Sequence, residues 1–78
     1  MSNKNGDSCE NLANAIVIQA AEDYRRALKA LKRYGRDRDA LAVREECERF
    51  FQSGWFTVLT QVDGEWLMRK LREEAWKE

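Results

Sequence analysis

The chain contains no proline and no histidine, and only two cysteines and four glycines occur among its 78 residues. Because histidine is the most common general base and metal ligand, its absence argues against catalytic triads, zinc hydrolases and zinc fingers. The glycines stand too far apart to form a phosphate-binding loop. We therefore expect a protein without enzymatic activity, metal or other cofactor.

The two thiols occupy different surroundings. Cys9 belongs to a polar N-terminal stretch, and Cys47 belongs to an apolar helix face. A disulfide between them is allowed but not indicated by the sequence. We expect Cys47 to act as a small core residue.

No run of residues approaches the ~18 consecutive apolar positions of a membrane span, and the N-terminus lacks the apolar stretch of a signal peptide. We therefore expect a cytoplasmic protein that makes no membrane contact. A chain of 78 residues, 36% of them charged, can form one domain with a small core. The composition predicts a disordered leader at residues 1–8 and a single helical domain at residues 9–78.

A long amphipathic helix is predicted from about Cys9 to Tyr34. Ser8 or Asn11 is available to cap its start. Gly35 suits the left-handed residue that often ends a helix. The apolar stripe recurs at steps of three and four positions, typical of a helix, at Leu12, Ile16, Ala20, Tyr24, Leu28 and Leu31.

A second helix is predicted from about Asp39 to Gln52, with Asp37 or Asp39 as its N-cap. The short link between the two helices favours an antiparallel hairpin. The expected apolar face consists of Ala40, Val43, Cys47, Phe50 and Phe51. The expected solvent face consists of Arg44, Glu45, Glu48 and Arg49.

Residues 55–71 allow two interpretations. Asp63-Gly64 is a short-range hairpin signal, and the residues before it include several strand formers. Alternatively, Ser53 caps a short helical turn near 55–60 and Asp63 caps a last helix. We predict an all-α fold, a compact three-helix bundle with this extra short turn. The alternative is an α+β fold in which a helical hairpin packs on a β-hairpin that turns at Asp63-Gly64.

Aromatic residues concentrate between Phe50 and Met68. We expect most of this block to form the core, with Phe50, Phe51, Phe56, Leu59, Trp66 and Leu71 as its members. Trp55 follows a glycine and Trp76 lies in a charged tail, so either can stay exposed as an anchor for a second chain. Pairing of two copies into a homodimer would enlarge the small core.

The segments DYRRALKALKRY and FFQSGWFTVLTQVDGEWLMRKLREE carry a resemblance. They are similar to a group of short uncharacterised proteins of prophages and integrative elements in Gram-positive gut bacteria. The resemblance covers roughly Asp23 to Glu74, and its most specific part runs from Phe50 to Leu71. It implies a mobile genetic element as the setting, and no particular chemistry.

The net charge of zero conceals a basic cluster. Between Arg25 and Arg38 the only acid is Asp37. The basic residues there are Arg25, Arg26, Lys29, Lys32, Arg33, Arg36 and Arg38. Four of them, Arg25, Lys29, Lys32 and Arg36, are expected on one helix face, where they can contact nucleic acid or an acidic protein. The alternative is a solvated helix end whose cations offset the helix dipole.

These observations favour a small interaction protein that binds a protein partner, with inhibition of a host defence system as one such role. Two alternatives stay open. One is a nucleic-acid-associated regulatory or accessory protein that uses the basic end of the first helix. The other is a structural homo-oligomeric module.

Overall fold

A computed structural model describes the backbone of residues 4–77 and the side chains of residues 12–77. In this part of the chain the elements are four helices: α1 (Lys4–Arg33), α2 (Arg38–Phe51), α3 (Gly54–Leu59) and α4 (Gly64–Lys77). The all-α fold class is confirmed. The β-hairpin alternative is wrong, because residues 4–77 contain no strand. The division into a leader and a domain stays a prediction, and residues 1–3 and 78 lie outside the described range.

Helix α1 contains 30 residues and is about 45 Å long at a rise of ~1.5 Å per residue. It starts before the predicted position near Cys9. Ser8 and Asn11 therefore lie inside the helix, and the prediction that one of them caps its start is wrong. A helix that packing has already nucleated gains one hydrogen bond for each further residue it orders, so it extends readily beyond its packed part.

Helix α1 ends in a different way from the left-handed glycine that the sequence predicts. Gly35 does not adopt a left-handed φ, so that prediction is wrong. The Tyr34 N–H still donates to the Ala30 carbonyl at 2.7 Å, and the Asp37 N–H then donates to the Tyr34 carbonyl at 3.1 Å. A hydrogen-bonded turn reverses the chain here, and the turn needs no positive φ.

Helix α2 begins at Arg38, and Asp37 before it is the N-cap. One Asp37 carboxylate oxygen accepts a hydrogen bond from the Ala40 N–H at 3.1 Å. The Cys47 thiol lies 3.6 Å from the Ala20 carbonyl, whereas Ala40 faces the later part of α1 around Ala30. The two helices therefore run antiparallel, as the short link predicts.

Two further caps are confirmed. The Ser53 hydroxyl accepts a hydrogen bond from the Phe56 N–H at 3.2 Å and starts α3. The Asp63 carboxylate accepts from the Glu65 N–H at 3.0 Å at the start of α4. Gly64 is buried against Phe51, and a Cβ at this position would overlap the Phe51 carbonyl. This close approach fixes how α4 leaves the loop.

The core lies where α1, α2, α3 and α4 meet. Phe51 and Phe56 pack edge to face with ring centroids 5.6 Å apart, and Tyr24 packs on Phe51 in the same way at 5.5 Å. Such pairs stabilise beyond the area they bury. The buried cluster consists of Tyr24, Leu28, Cys47, Phe51, Phe56, Met68, Leu71 and Ala75. The core role predicted for Cys47, Phe51, Phe56 and Leu71 is confirmed.

Other core predictions need correction. Phe50 and Leu59 are half-buried, whereas Trp66 is 45% exposed, so its assignment to the core is wrong. The inward face of α4 is formed by Gly64, Met68, Leu71 and Ala75. Because successive helical residues turn by about 100°, a side chain two positions after Gly64 points to the opposite side.

Candidate functional site

Residues 12–18 of α1 include exposed apolar side chains. No residue from 11 to 21 is charged, although 36% of the whole chain is. Leu12 is 65% exposed and Ile18 is 56% exposed, and Val17 is the first described residue of α1 that packs on the core. The apolar stripe predicted for α1 therefore does not face the core along its whole length, because Leu12 and Ile16 are exposed. An uncharged, partly apolar helix surface of this kind is typical of an interaction site.

One side of this segment forms a groove with α2, here called the α1–α2 groove. Its volume is ≈ 430 Å³. Ile16 on α1 and Phe50 on α2 supply its large apolar side chains, and small alanines leave the space between them. The lining residues are Ala15, Ile16, Gln19, Ala20, Asp23, Glu46, Cys47 and Phe50. The groove is mainly apolar and bears carboxylates but no cation.

Cys47 lines the groove without being a reactive group. Its thiol is buried, and burial raises the pKa of this thiol above its ordinary value, with the charges of Asp23, Glu46 and Glu48 acting in the same direction. The thiol therefore stays protonated at neutral pH and is a poor nucleophile. Cys47 is a free cysteine, and the side chain of Cys9 lies outside the described range.

Behind the groove, a polar cluster connects three helices. The Tyr24 hydroxyl donates to the Glu48 carboxylate at 2.7 Å and accepts from the Arg72 guanidinium at 3.1 Å. Glu48 also lies 4.0 Å from Arg44. The prediction that Glu48 and Arg44 belong to the solvent face of α2 is wrong, because both are half-buried, Glu48 at the Tyr24 hydroxyl and Arg44 beside Glu48. The cluster links α1, α2 and α4 through one hydroxyl.

The basic end of α1 contacts the C-terminal part of α4. The Arg25 guanidinium lies 3.1 Å from the Glu74 carboxylate, and the Lys32 ammonium donates to the Ala75 carbonyl at 3.0 Å. Arg26 pairs within its own helix with Asp23 at 2.6 Å. Thus several cations of the predicted nucleic-acid surface already bind groups of this chain.

The remaining basic residues also differ from the predicted arrangement. Arg33 is exposed at the last position of α1, and Lys29 lies beside Glu74 and Lys77 in a shallow groove. Arg36 lies in the turn after α1. The prediction that Arg36 shares a helix face with Arg25, Lys29 and Lys32 is therefore wrong.

The two tryptophans predicted as anchors are exposed on different helices. Trp55 on α3 and Trp76 on α4 are each 60% exposed. Their exposure agrees with the prediction, while their role in partner binding stays a prediction. Neither residue lines the α1–α2 groove.

The chain matches no protein-family model, no curated protein and no solved structure. Among the described helices, none is both long enough and apolar enough to cross a membrane. The described residues include no cluster of three or more histidine, cysteine or acidic side chains that could hold a metal ion. Function is therefore argued from the surface of the chain.

Sequence reasoning placed Ile16 in the apolar stripe of α1 and identified no groove beside it. The sequence does contain a sign of this surface. Residues 11–21 include no charged residue, whereas a helix that buries only one face usually carries charged residues on the other. A run without charge on every side of a helix indicates either full burial or a partner. Among the described side chains of this run, Leu12, Ile16 and Ile18 are exposed, which leaves a partner as the second reading.

Proposed function

We propose that this chain binds a protein partner and that the α1–α2 groove receives an apolar helix of that partner. The observation that carries the proposal is the pairing of exposed Ile16 on one side of the groove with half-buried Phe50 on the other. A cleft between two helices fits a third helix, whose side chains three and four positions apart insert in a row.

The carboxylates of the groove indicate which charged side chains the partner helix carries. Asp23 and Glu46 lie along it, and Glu46 is exposed. Asp23 already contacts Arg26 at 2.6 Å and Gln19 at 3.0 Å, so Glu46 is the more available carboxylate. The fitting helix therefore has an aliphatic stripe bordered by lysine or arginine. Such rim charges select the partner and its orientation more than they raise affinity.

The groove needs little rearrangement to bind. Tyr24 is fully buried and hydrogen-bonded to groups of α2 and α4, which fixes the position of α2 beside α1. A preformed site loses less conformational entropy on binding. This favours a binding role for the chain over a role that requires it to open.

A synthetic helix tests the proposal directly. A labelled amphipathic peptide of leucine and lysine should bind the chain in fluorescence anisotropy, and a peptide of leucine and glutamate should bind much more weakly. Ile16→Glu should weaken binding by about 30-fold, corresponding to the ~2 kcal/mol of a hot-spot residue. Ile18→Glu is the matched control, because Ile18 is an exposed isoleucine of the same helix that does not line the groove.

Three results would contradict the proposal. The first is no detectable binding of the leucine and lysine peptide, the second is an equal loss of binding for the two isoleucine variants, and the third is a groove occupied by a second copy of the chain. In the last case light scattering would show a dimer that Ile16→Glu dissociates and Ile18→Glu does not, and the groove would be an interface between two copies. Circular dichroism of each variant establishes that the helices remain folded.

The mobile-element setting, the lack of catalysis and a role against host defence stay predictions. A groove for a partner helix is compatible with each of them. The alternative in which the basic end of α1 alone binds nucleic acid has less support, because Arg25 and Lys32 contact α4. Light scattering tests the remaining alternative, a structural homo-oligomer, because it measures whether copies of the chain associate.

A further inference from the structure

The outward face of α4 combines exposed indoles with cations. Trp66 is 45% exposed and Trp76 is 60% exposed. They are separated by about 15 Å along the helix and by about 80° around its axis, given ~1.5 Å and ~100° per residue. Arg69 and Lys70 lie between them in sequence, and both are exposed. The face therefore alternates flat aromatic surfaces with positive charge.

One of these cations is already placed at an aromatic ring. The Lys70 ammonium lies 5.9 Å from the centre of the Trp66 ring and 3.9 Å from the Glu73 carboxylate. An exposed cation–π contact stabilises a fold by only about 0.5–1 kcal/mol, and an exposed ion pair stabilises it by a similarly small amount. Lys70 can therefore turn towards a phosphate at small cost, and Trp66 is 45% exposed.

The surface continues from α4 to the basic end of α1. A groove of ≈ 410 Å³ is lined by Arg69, Arg72, Glu73, Trp76 and Lys77. A neighbouring groove of ≈ 360 Å³ is lined by Arg25, Lys29, Glu74, Ala75 and Lys77. Lys77 belongs to both. The fold thus brings the basic cluster of α1 next to basic residues that lie far from it in the sequence.

The acids of this surface are partly neutralised within the chain. Glu74 pairs with Arg25 at 3.1 Å, and Glu73 lies 3.9 Å from Lys70. Lys32 donates to the Ala75 carbonyl near the end of α4, where the helix dipole is negative. Arg69, Arg72 and Lys77 add further positive charge, so the cations of this surface outnumber Glu73 and Glu74.

We propose that this surface, called here the α4 surface and centred on Trp66, Arg69 and Trp76, binds single-stranded nucleic acid. Unpaired bases would stack on the two indoles, and the arginine and lysine side chains would contact the phosphates between them. Stacking on aromatic residues accepts any base, so sequence preference should be weak. A duplex keeps its base faces covered and offers the indoles nothing to stack on. The α4 surface is separate from the α1–α2 groove and does not depend on the proposed protein partner.

Anisotropy of a labelled oligodeoxythymidine measures this binding on the full chain. Trp76→Ala should weaken it by about 5- to 140-fold, as expected for the loss of one base stack. Trp55→Ala is the matched control, because Trp55 has the same 60% exposure and lies on another helix. With about three phosphate contacts, affinity should fall about 20-fold between ~50 and ~200 mM salt.

Several results would overturn the proposal. One is an oligonucleotide that fails to bind at low salt, and another is a duplex of equal length that binds as tightly as the single strand. Equal losses for Trp55→Ala and Trp76→Ala would show that the indole of α4 has no special role. A polyglutamate peptide that competes fully and is unaffected by Trp76→Ala would assign the surface to an acidic protein instead.

Discussion

The Tyr24 hydroxyl donates a 2.7 Å hydrogen bond to the Glu48 carboxylate from a ring that is fully buried. The same hydroxyl accepts a hydrogen bond from Arg72. One phenol therefore links α1 to a residue of α2 and a residue of α4. Because three helices share this contact, its loss should affect the whole fold.

We expect Tyr24→Phe to lower the free energy of unfolding by about 1–2 kcal/mol, because Glu48 and Arg72 lose a partner in a partly buried place. Urea denaturation followed by circular dichroism measures the change. Tyr34→Phe is the matched control, since Tyr34 is 67% exposed, and it should leave stability unchanged. Equal stability of both variants would show that the hydrogen bonds of Tyr24 do not stabilise the fold.

The same residue predicts a loss of stability in alkaline solution. Burial, with the hydrogen bond to Glu48, raises the pKa of Tyr24 from 10.0 to about 12. Between these values the unfolded chain releases the phenol proton while the folded chain retains it. Unfolding is therefore favoured as pH rises, by at most about 1.4 kcal/mol per pH unit. The stabilising contribution is complete below pH 10.0 and is lost towards pH 12.

Comparison with Tyr24→Phe isolates this effect, because the two proteins differ only in the hydroxyl of residue 24. The stability difference between the wild type and the variant should shrink as pH rises through this range. A difference that stays constant would mean that Tyr24 titrates normally in the folded state.

The caps at Ser53 and Asp63 were readable from the sequence because each depends on neighbours in the chain, whereas the predicted caps of α1 at Ser8 or Asn11 and at Gly35 were wrong. Ser53 and Asp63 bind N–H groups two or three positions ahead, and no tertiary contact is needed for that. The all-α fold followed from these caps together with helical periodicity. For the start of α2, however, local rules left both Asp37 and Asp39 possible.

That choice is testable. Asp37→Ala should destabilise the chain by about 1 kcal/mol through the loss of the N-cap hydrogen bond to Ala40. Asp39→Ala should cost less, about 0.3–1 kcal/mol, because Asp39 only interacts with the helix dipole in the first turn. Thermal unfolding of the two variants gives the order. The reverse order would place the cap at Asp39.

Contacts between distant segments were not readable in the same way. Which face of α4 turns inward depends on the approach of Gly64 to the Phe51 carbonyl, and this approach placed Trp66 outside. Likewise, the partners of Arg25 and Lys32 lie on α4, far along the chain. Periodicity identifies an amphipathic helix, but it does not show how much of the apolar stripe the rest of a short chain can cover.

The approach of Gly64 has its own consequence. Gly64→Ala should destabilise the chain by about 1–3 kcal/mol or more, because the new Cβ would overlap a backbone carbonyl that cannot move alone. Gly54→Ala is the matched control, since a Cβ there meets nothing within 4 Å. It should be neutral or stabilise by about 0.4–1 kcal/mol through the unfolded state. Chemical denaturation of both variants measures the contrast, and similar midpoints would contradict the packing of α4 on Phe51.

Replacing leucine with alanine should change stability by different amounts at the two ends of the apolar stripe of α1. Leu28 is 4% exposed in the core, whereas Leu12 is 65% exposed before the core begins. Leu28→Ala should therefore cost about 2–5 kcal/mol, as expected for a buried leucine. Leu12→Ala should change stability by less than about 0.5 kcal/mol, the usual range for surface positions. Urea denaturation of the purified chain gives both values. A large loss for Leu12→Ala that depends on protein concentration would show that a second copy covers this part of α1.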